Sequence, residues 1–413
     1  MPDSPGLWRD HDFLRLWSAQ ATGLVGQQFS VLSLPLVAIL TLHASASTVG
    51  LMVTCFNLPW VVFGLFVGVV IDRFPRRSVL ILSDLGRALL LVSIPLCAAA
   101  GLLTLQQLFV LGLLVGTLDV CWLTAYRSYI PTVVPKEHLT QAYSLVGASD
   151  GVTRTAAPSL AGAAIQLVGA PIGVSVTSLC YFLSGLFNSR IRAREQRVAR
   201  GDHEPVLRSF REGLAYAWRQ RIVRSFALSE ATYTLFWAST QTVLLVFLSR
   251  NLDLAPGFIG LIFTVGTVGG ILGALVARRI GRRLTPGPSI ILGSILRSAG
   301  MALLPLAVVL GPFAIPMLML ARLVNSFGWT LWDVHRETMQ QQLLSDRYRG
   351  RANGSVLFLS GAALAVGSAA GAGVVALTGV VPTLVIGCVG TMLAVGWLLT
   401  ARLSTLRQAL ATD

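Results

Sequence analysis

Charge is what this sequence has least of. Asp, Glu, Lys and Arg make up 12% of its 413 residues, and Lys136 is the single lysine among 32 basic residues. Soluble domains carry roughly twice that share, so a water-soluble fold is excluded. Cysteine is scarce too. Cys55, Cys97, Cys121, Cys180 and Cys388 each sit in an apolar run, with neither metal-ligand spacing nor a disulfide framework. The five histidines (His11, His43, His138, His203 and His335) fall in loops or at the ends of runs and form no His-Glu-x-x-His pattern. No phosphate-cradling Gly-Lys-Ser/Thr loop occurs, so ATP is not an energy source within this chain. The chain therefore reads as a non-enzyme, with no metal and no cofactor. The N-terminus lacks a basic segment followed by a short apolar one, and direct insertion without a cleaved signal is expected.

Apolar runs take the place of all this. The chain is 54% hydrophobic with a mean hydropathy of +0.71. Cutting the runs at charged or Pro/Gly-rich joints predicts about twelve spans of roughly 20 residues. They lie near 15–42, 48–71, 78–100, 104–126, 140–168, 171–189, 222–249, 256–277, 288–310, 312–334, 352–377 and 381–401. The predicted fold is an all-α membrane protein.

The net charge of +14 would suggest nucleic acid in a soluble protein. Here the arginines fall in alternate loops, where lipid headgroups and topology explain them and nucleic acid is not needed. Only Arg250 falls on the other side, so both termini are expected in the cytoplasm of a bacterium, with the chain in its plasma membrane.

Residues 190–221 form the one long hydrophilic joint, separating a first half (1–189) from a second (222–413). Within it, Ser209–Arg219 has apolar residues at helical spacing with arginines between them. It reads as an amphipathic helix on the inner leaflet, or else as a solvated linker. The halves repeat. Ser83-Asp84-Leu-Gly-Arg87 through Pro95 aligns without a gap on Gly293-Ser294-Ile-Leu-Arg297 through Pro305. Two six-span pseudo-repeats in the same orientation are an architecture of secondary transporters.

The most charged turn is Gly68-Val-Val-Ile-Asp72-Arg73-Phe-Pro75-Arg76-Arg77. Each of these charges costs a few kcal/mol inside lipid, so the stretch is a surface loop. It resembles the G-x-x-x-D-R-x-G-R-R loop signature of the major facilitator superfamily, with Pro75 in place of a glycine. Further resemblance, to a subgroup of bacterial macrolide-efflux and siderophore-export proteins, runs from Leu7–Trp17 through Leu58-Pro59, Ser83–Ala88 and Tyr129–Leu139, and more weakly over the second half. Ala157-Pro158-Ser-Leu-Ala161-Gly162 is similar to a softened antiporter motif, or is an ordinary small-residue packing face. Two departures are plain. Gln27 and Gln28 follow Gly26 where the subgroup often has an acid, and Gly112 replaces a fourth-span arginine, while Arg322-Leu-Val-Asn325 resembles that pattern in the tenth span.

The resemblance implies a gating role for Gly68, Asp72, Arg73, Arg76 and Arg77, joined by Asp84 and Arg87. In it the acid at Asp72 holds the start of the eleventh span, here Arg349–Asn353, as a latch or a static brace. The echo at Ala274–Arg283 has Arg278 where Asp72 would fall. The resemblance also implies a central cavity lined by Gln27, Gln28, Asn57, Tyr233, Trp237, Gln241, Asn325 and Trp329, suited to an amphipathic small molecule; core packing is the alternative for each tryptophan.

Ionisable groups inside spans are costly and mark function unless a partner explains them. Asp150 and Arg154 are one turn apart and able to pair, either as a static bridge or as a proton site beside a counter-charge for cargo. Glu230 has no local cation. As the lone carboxylate of the second half's apolar region, it is the leading candidate for carrying protons, with Asp119 and Asp150 as others. Arg297 lacks the acid that precedes Arg87 and must pair across helices. Arg322, near mid-bilayer, is expected to hold an anion or Asp119. Together these readings predict a monomeric exporter of a small amphipathic compound, such as an antibiotic or siderophore-like metabolite, in exchange for protons. The rivals are uptake by symport, lipid flipping, and a scaffold or sensor that transports nothing.

Overall fold

A computed structural model describes residues 7–63, 67, 71, 74–193, 215, 218–343 and 346–400, with the backbone alone at 9, 136 and 341–358. Every extended regular element among the described residues is helical. The helices are α1 (His11–Leu36), α2 (Ala46–Phe63), α3 (Arg76–Ala99), α4 (Leu105–Val133), α5 (Leu139–Val168) and α6 (Ala170–Ser189). After the long joint come α7 (Arg221–Val246), α8 (Pro256–Leu284), α9 (Pro286–Leu303), α10 (Ala314–Leu343), α11 (Asp346–Thr378) and the pair α12 (Val380–Gly390) and α13 (Leu393–Thr400).

Among the described residues, eleven helices are long and apolar enough to cross a membrane, α12 and α13 together making one of them. The exception is α5. It has 30 residues, ample length for a span, but Gln141, Ser144, Ser149, Asp150, Thr153 and Arg154 lower its hydropathy. Helix starts follow local chemistry. The Asp10 carboxylate caps α1 by accepting from the backbone N–H of Asp12 at 2.9 Å and Phe13 at 3.1 Å, and Thr104 caps α4 through the N–H of Gln107.

The repeat extends to backbone irregularities. His43 and Asp253, Gly101 and Gly311, and Gly169 and Gly379 all have positive φ, and the members of each pair stand 210 positions apart. The π turns closing α1 and α7, Val37–Thr41 and Phe247–Asn251, keep the same spacing. Gly169 (φ 86°) ends α5 and opens α6 with no residue between, a corner that side chains other than glycine rarely adopt. Gly379 (φ 88°) does the same between α11 and α12.

The chain divides into two compact units. One comprises Met1–Ser45 with Cys55–Asp202, and the other Ala46–Thr54 with His203–Asp413. The first turns of α2 thus group with the second unit. In the first unit α1 packs on α5 and α6, and α3 on α4 and α6. The antiporter-like residues Ala157, Pro158, Ala161 and Gly162 are buried on α5. In the second unit α10 packs against both α8 and α9, and α7 against α11. Glycines set the closest approach: a Cβ on Gly293 of α9 would lie 2.5 Å from the Trp332 backbone nitrogen of α10, and Gly300 and Gly328 leave no more room. Such contacts suit membranes, where close packing drives helix association in place of the hydrophobic effect.

Candidate functional site

In the first unit the charged residues converge on Arg87. Asp84 and Arg87 lie one turn apart on α3, and both are buried. Asp84 accepts four donors: Arg87 Nη2 at 2.5 Å on Oδ1, and Trp122 Nε1 at 3.2 Å, Ser184 Oγ at 2.8 Å and Asn188 Nδ2 at 2.8 Å on Oδ2. So satisfied a carboxylate is fixed in place. Arg87 Nη1 pairs with Asp119 of α4, and its guanidinium lies 4.1 Å from the Tyr181 ring centroid and 5.3 Å from that of Trp122. Two carboxylates share one arginine. Asp84 is sealed, whereas the Asp119 side chain is 20% exposed.

That exposure opens on a cavity of about 250 Å³, where Arg87 and Asp119 meet Trp60, Trp122, Gln20 and Gln27. Asp150, Arg154 and Arg127 complete its charged lining. Asp150 and Arg154 are paired at 2.7 Å and partly exposed. Three arginines and two aspartates therefore share a space walled by two tryptophans and two amides. Of the other expected cavity residues of this unit, Gln28 and Asn57 lie on α1 and α2 outside this lining.

The second unit builds a counterpart with different acids. Arg297 on α9 is fully buried, its guanidinium between the rings of Tyr233 (3.9 Å) and Trp332 (4.0 Å). Its Nη1 donates to Glu230 Oε2 of α7 at 2.9 Å. Asn325 Nδ2 donates to the Tyr233 hydroxyl at 2.7 Å and to the Arg297 carbonyl at 2.8 Å. Arg87 and Arg297 occupy repeat-equivalent positions, and so do Trp122 and Trp332, each pair 210 residues apart. At that spacing Asp84 becomes Ser294, Asp119 becomes Trp329, and Gln20 becomes Glu230. Both halves keep the arginine on its tryptophan, but they neutralise it from different helices.

Several expectations change. Glu230, read from the sequence as lacking a local cation, has Arg297 as its partner, brought from another helix by packing. Asp119 is held by Arg87 and not by Arg322. Arg322 lies 4.5 Å from the Phe263 ring, with no ion pair. Gln241 has a buried side-chain oxygen without a hydrogen bond. Trp237 is half-buried and Trp329 is 46% exposed. Arg76 and Arg77 donate to backbone carbonyls, Arg76 to Ser128 of α4 at 3.2 Å and Arg77 to Ser189 at the end of α6 at 2.5 Å. Gly68, Asp72 and Arg73, the side chains of 349–353, and most of the expected amphipathic segment lie outside the described residues. No cluster of His, Cys, Asp and Glu suited to a metal occurs among the described residues.

Gln20, Trp60 and Arg127 were not picked out by sequence as site residues. Gln20 had a signal, since extending the 210-residue repeat back to α1 sets it opposite Glu230. Trp60 had none beyond its type.

Residues 6–412 match the family described as transmembrane secretion effector. The chain belongs to the major facilitator superfamily. Among its relatives is an uncharacterized MFS-type transporter, YfiS, of Bacillus subtilis (strain 168), 26% identical over 97% of this chain and 95% of its own. The multidrug efflux pump Tap of Mycolicibacterium fortuitum is 26% identical over 66% of this chain and 68% of its own. The fold matches that of a mutant of the nucleoside transporter NupG with a TM-score of 0.79, covering 95% of this chain and all of the other at 13% identity. Family and relatives are transporters and not enzymes, so this is a multi-pass major facilitator protein whose charged clusters call for a transport reading.

Proposed function

We propose that this protein exports a small amphipathic compound in exchange for protons, by alternating access. The observation that carries the reading is Asp119, a carboxylate that bonds a buried arginine while opening on a cavity with aromatic and amide walls. As a carboxylate it shares Arg87 with Asp84, two negative charges on one cation. A proton on Asp119 turns that ion pair into a weaker bond from the guanidinium to a neutral carboxyl and leaves the charge of Arg87 balanced by Asp84 alone. Proton arrival and departure thus change the charge lining the cavity by one, which is what coupling to a gradient requires. Each charge crossing gains about 2.3 kcal/mol per 100 mV. Trp60 and Trp122 offer flat apolar faces to a solute, and Gln20 and Gln27 offer hydrogen bonds. Glu230 on Arg297 is a second proton site of the same kind, with its side chain 19% exposed.

Export is supported by the name of one relative, an efflux pump. The test compares a deletion strain with strains expressing wild type or Asp119→Asn, measuring the metabolites and added lipophilic drugs each retains. Wild type should lower the retained level of at least one compound below its external level, and Asp119→Asn should not. Higher retention in cells expressing wild type would mean uptake instead.

A further inference from the structure

Every acidic side chain on the described span helices of the second unit already has an arginine. Glu230 is bound to Arg297, and Asp333 and Glu337 are bound to Arg336 at 2.7 and 3.4 Å. Arg322 is left over. It stands eight residues into α10, about 12 Å from the helix start at 1.5 Å per residue, well inside the span Gly311–Gln340. It makes no ion pair and no hydrogen bond among the described residues, and its Nε is buried without a partner. The Tyr233 hydroxyl, a neutral group, lies within electrostatic range, and apolar groups pack against the side chain. The guanidinium lies 4.5 Å from the Phe263 ring centroid, and a Cβ on Gly266 of α8 would come within 3.5 Å of Nε, so the glycine leaves the headgroup room. Arg297, by contrast, is sealed between two rings and a carboxylate, whereas Arg322 is partly exposed. The repeat does not call for it either, because the equivalent position in the first half is Gly112.

An arginine inside a span with no counter-charge costs several kcal/mol of solvation unless something outside the chain supplies the anion. We infer that Arg322 is an anion-recognition point and that the transported solute carries an oxyanion, a carboxylate, sulfonate or phosphate, on an apolar body. The guanidinium fork matches the paired oxygens of all three groups, and the partly exposed Phe263 ring beside it offers an apolar contact to the body. This substrate class rests on reading the chain as a transporter, and not on the direction or the proton coupling proposed above.

The test is thermal unfolding of the full-length protein in a neutral detergent, with matched probes sharing one aromatic body. The anions are naphthoate, naphthalenesulfonate and naphthyl phosphate; naphthylmethylammonium is the cation and naphthalenemethanol the neutral control. At least one anion should raise the melting temperature of wild type, with Arg322→Gln losing that shift and Arg322→Lys keeping part of it. Without any probe Arg322→Gln should melt above wild type, because it removes an uncompensated charge. That result also shows the variant is folded. The inference is overturned if none of the anions stabilises wild type, if the cation or neutral probe does so equally, or if Arg322→Gln responds as wild type. A melting temperature lowered by Arg322→Gln without probe would also overturn it, by giving the arginine an internal structural role. Phosphatidylglycerol added alone is a further arm, and an Arg322-dependent shift with it but with none of the naphthyl anions would assign the site to a lipid headgroup. If the anion binds at Arg322 but vesicles do not move it against a proton gradient, the export reading fails and the anion site stands.

Discussion

Arg297 and Glu230, 67 residues apart in sequence, form an ion pair at 2.9 Å with the guanidinium clasped between Tyr233 and Trp332. Removing one partner of a buried pair leaves the other uncompensated, at a cost of about 3–5 kcal/mol. Glu230→Gln should therefore lower the melting temperature of the solubilised protein. Arg297→Lys should not restore wild-type behaviour, because an ammonium lacks the flat face that both rings contact. A Glu230→Gln protein as stable as wild type would show that the pair adds nothing.

The repeat suggests how to move that pair. Ser294 stands where the first half has Asp84, and its buried hydroxyl has no hydrogen-bond partner. Ser294→Asp would set a carboxylate one turn before Arg297, as Asp84 is set before Arg87. In the Glu230→Gln background this second change should recover much of the lost stability. Melting curves of the two single variants and the double variant decide the matter, and additive losses would refute it.

Asp84 and Asp119 share Arg87 but should fail differently. Asp84→Asn disturbs four donors around a fully buried group and should reduce the amount of folded protein recovered from membranes, by about 3–5 kcal/mol of stability. Asp119→Asn keeps an acceptor oxygen towards Arg87 at a partly exposed position, so it should fold and insert normally while losing proton-linked transport. Gel-filtration profiles of the purified variants separate the two effects.

Close contact between α9 and α10 holds the second cluster together. A Cβ on Gly328 has no room against the backbone nitrogen of Arg297, so Gly328→Ala must push the helices apart. The expected loss is about 1–3 kcal/mol, typical of overpacking, read as a lower melting temperature. Gly361, with nothing within 4 Å of its Cβ position, is the matched control and should tolerate alanine.

The spans, the two-fold repeat and the Asp84–Arg87 pair were legible in the sequence, because hydropathy, a constant offset and a one-turn spacing are all local signals. The Glu230–Arg297 pair was not. Arg297 visibly lacked its acid and Glu230 its base, but only the tertiary fold brings the long arginine side chain of α9 to the carboxylate of α7. Asp119 was legible as a costly charge, yet its partner sits 32 residues earlier on another helix. Arg322 posed the opposite problem. The sequence showed an arginine in a span, and its lack of an acid emerged only once every nearby carboxylate had been matched to another arginine.

The central claim is that Asp119 exchanges the proton that drives transport. The direct measurement is transport by proteoliposomes, under an imposed pH gradient, of the solute found by comparing metabolites retained in a deletion strain. Wild type should concentrate that solute against its gradient only while the pH gradient lasts. Asp119→Asn should equilibrate it downhill and never concentrate it. Uphill transport by Asp119→Asn at the wild-type rate would contradict the account.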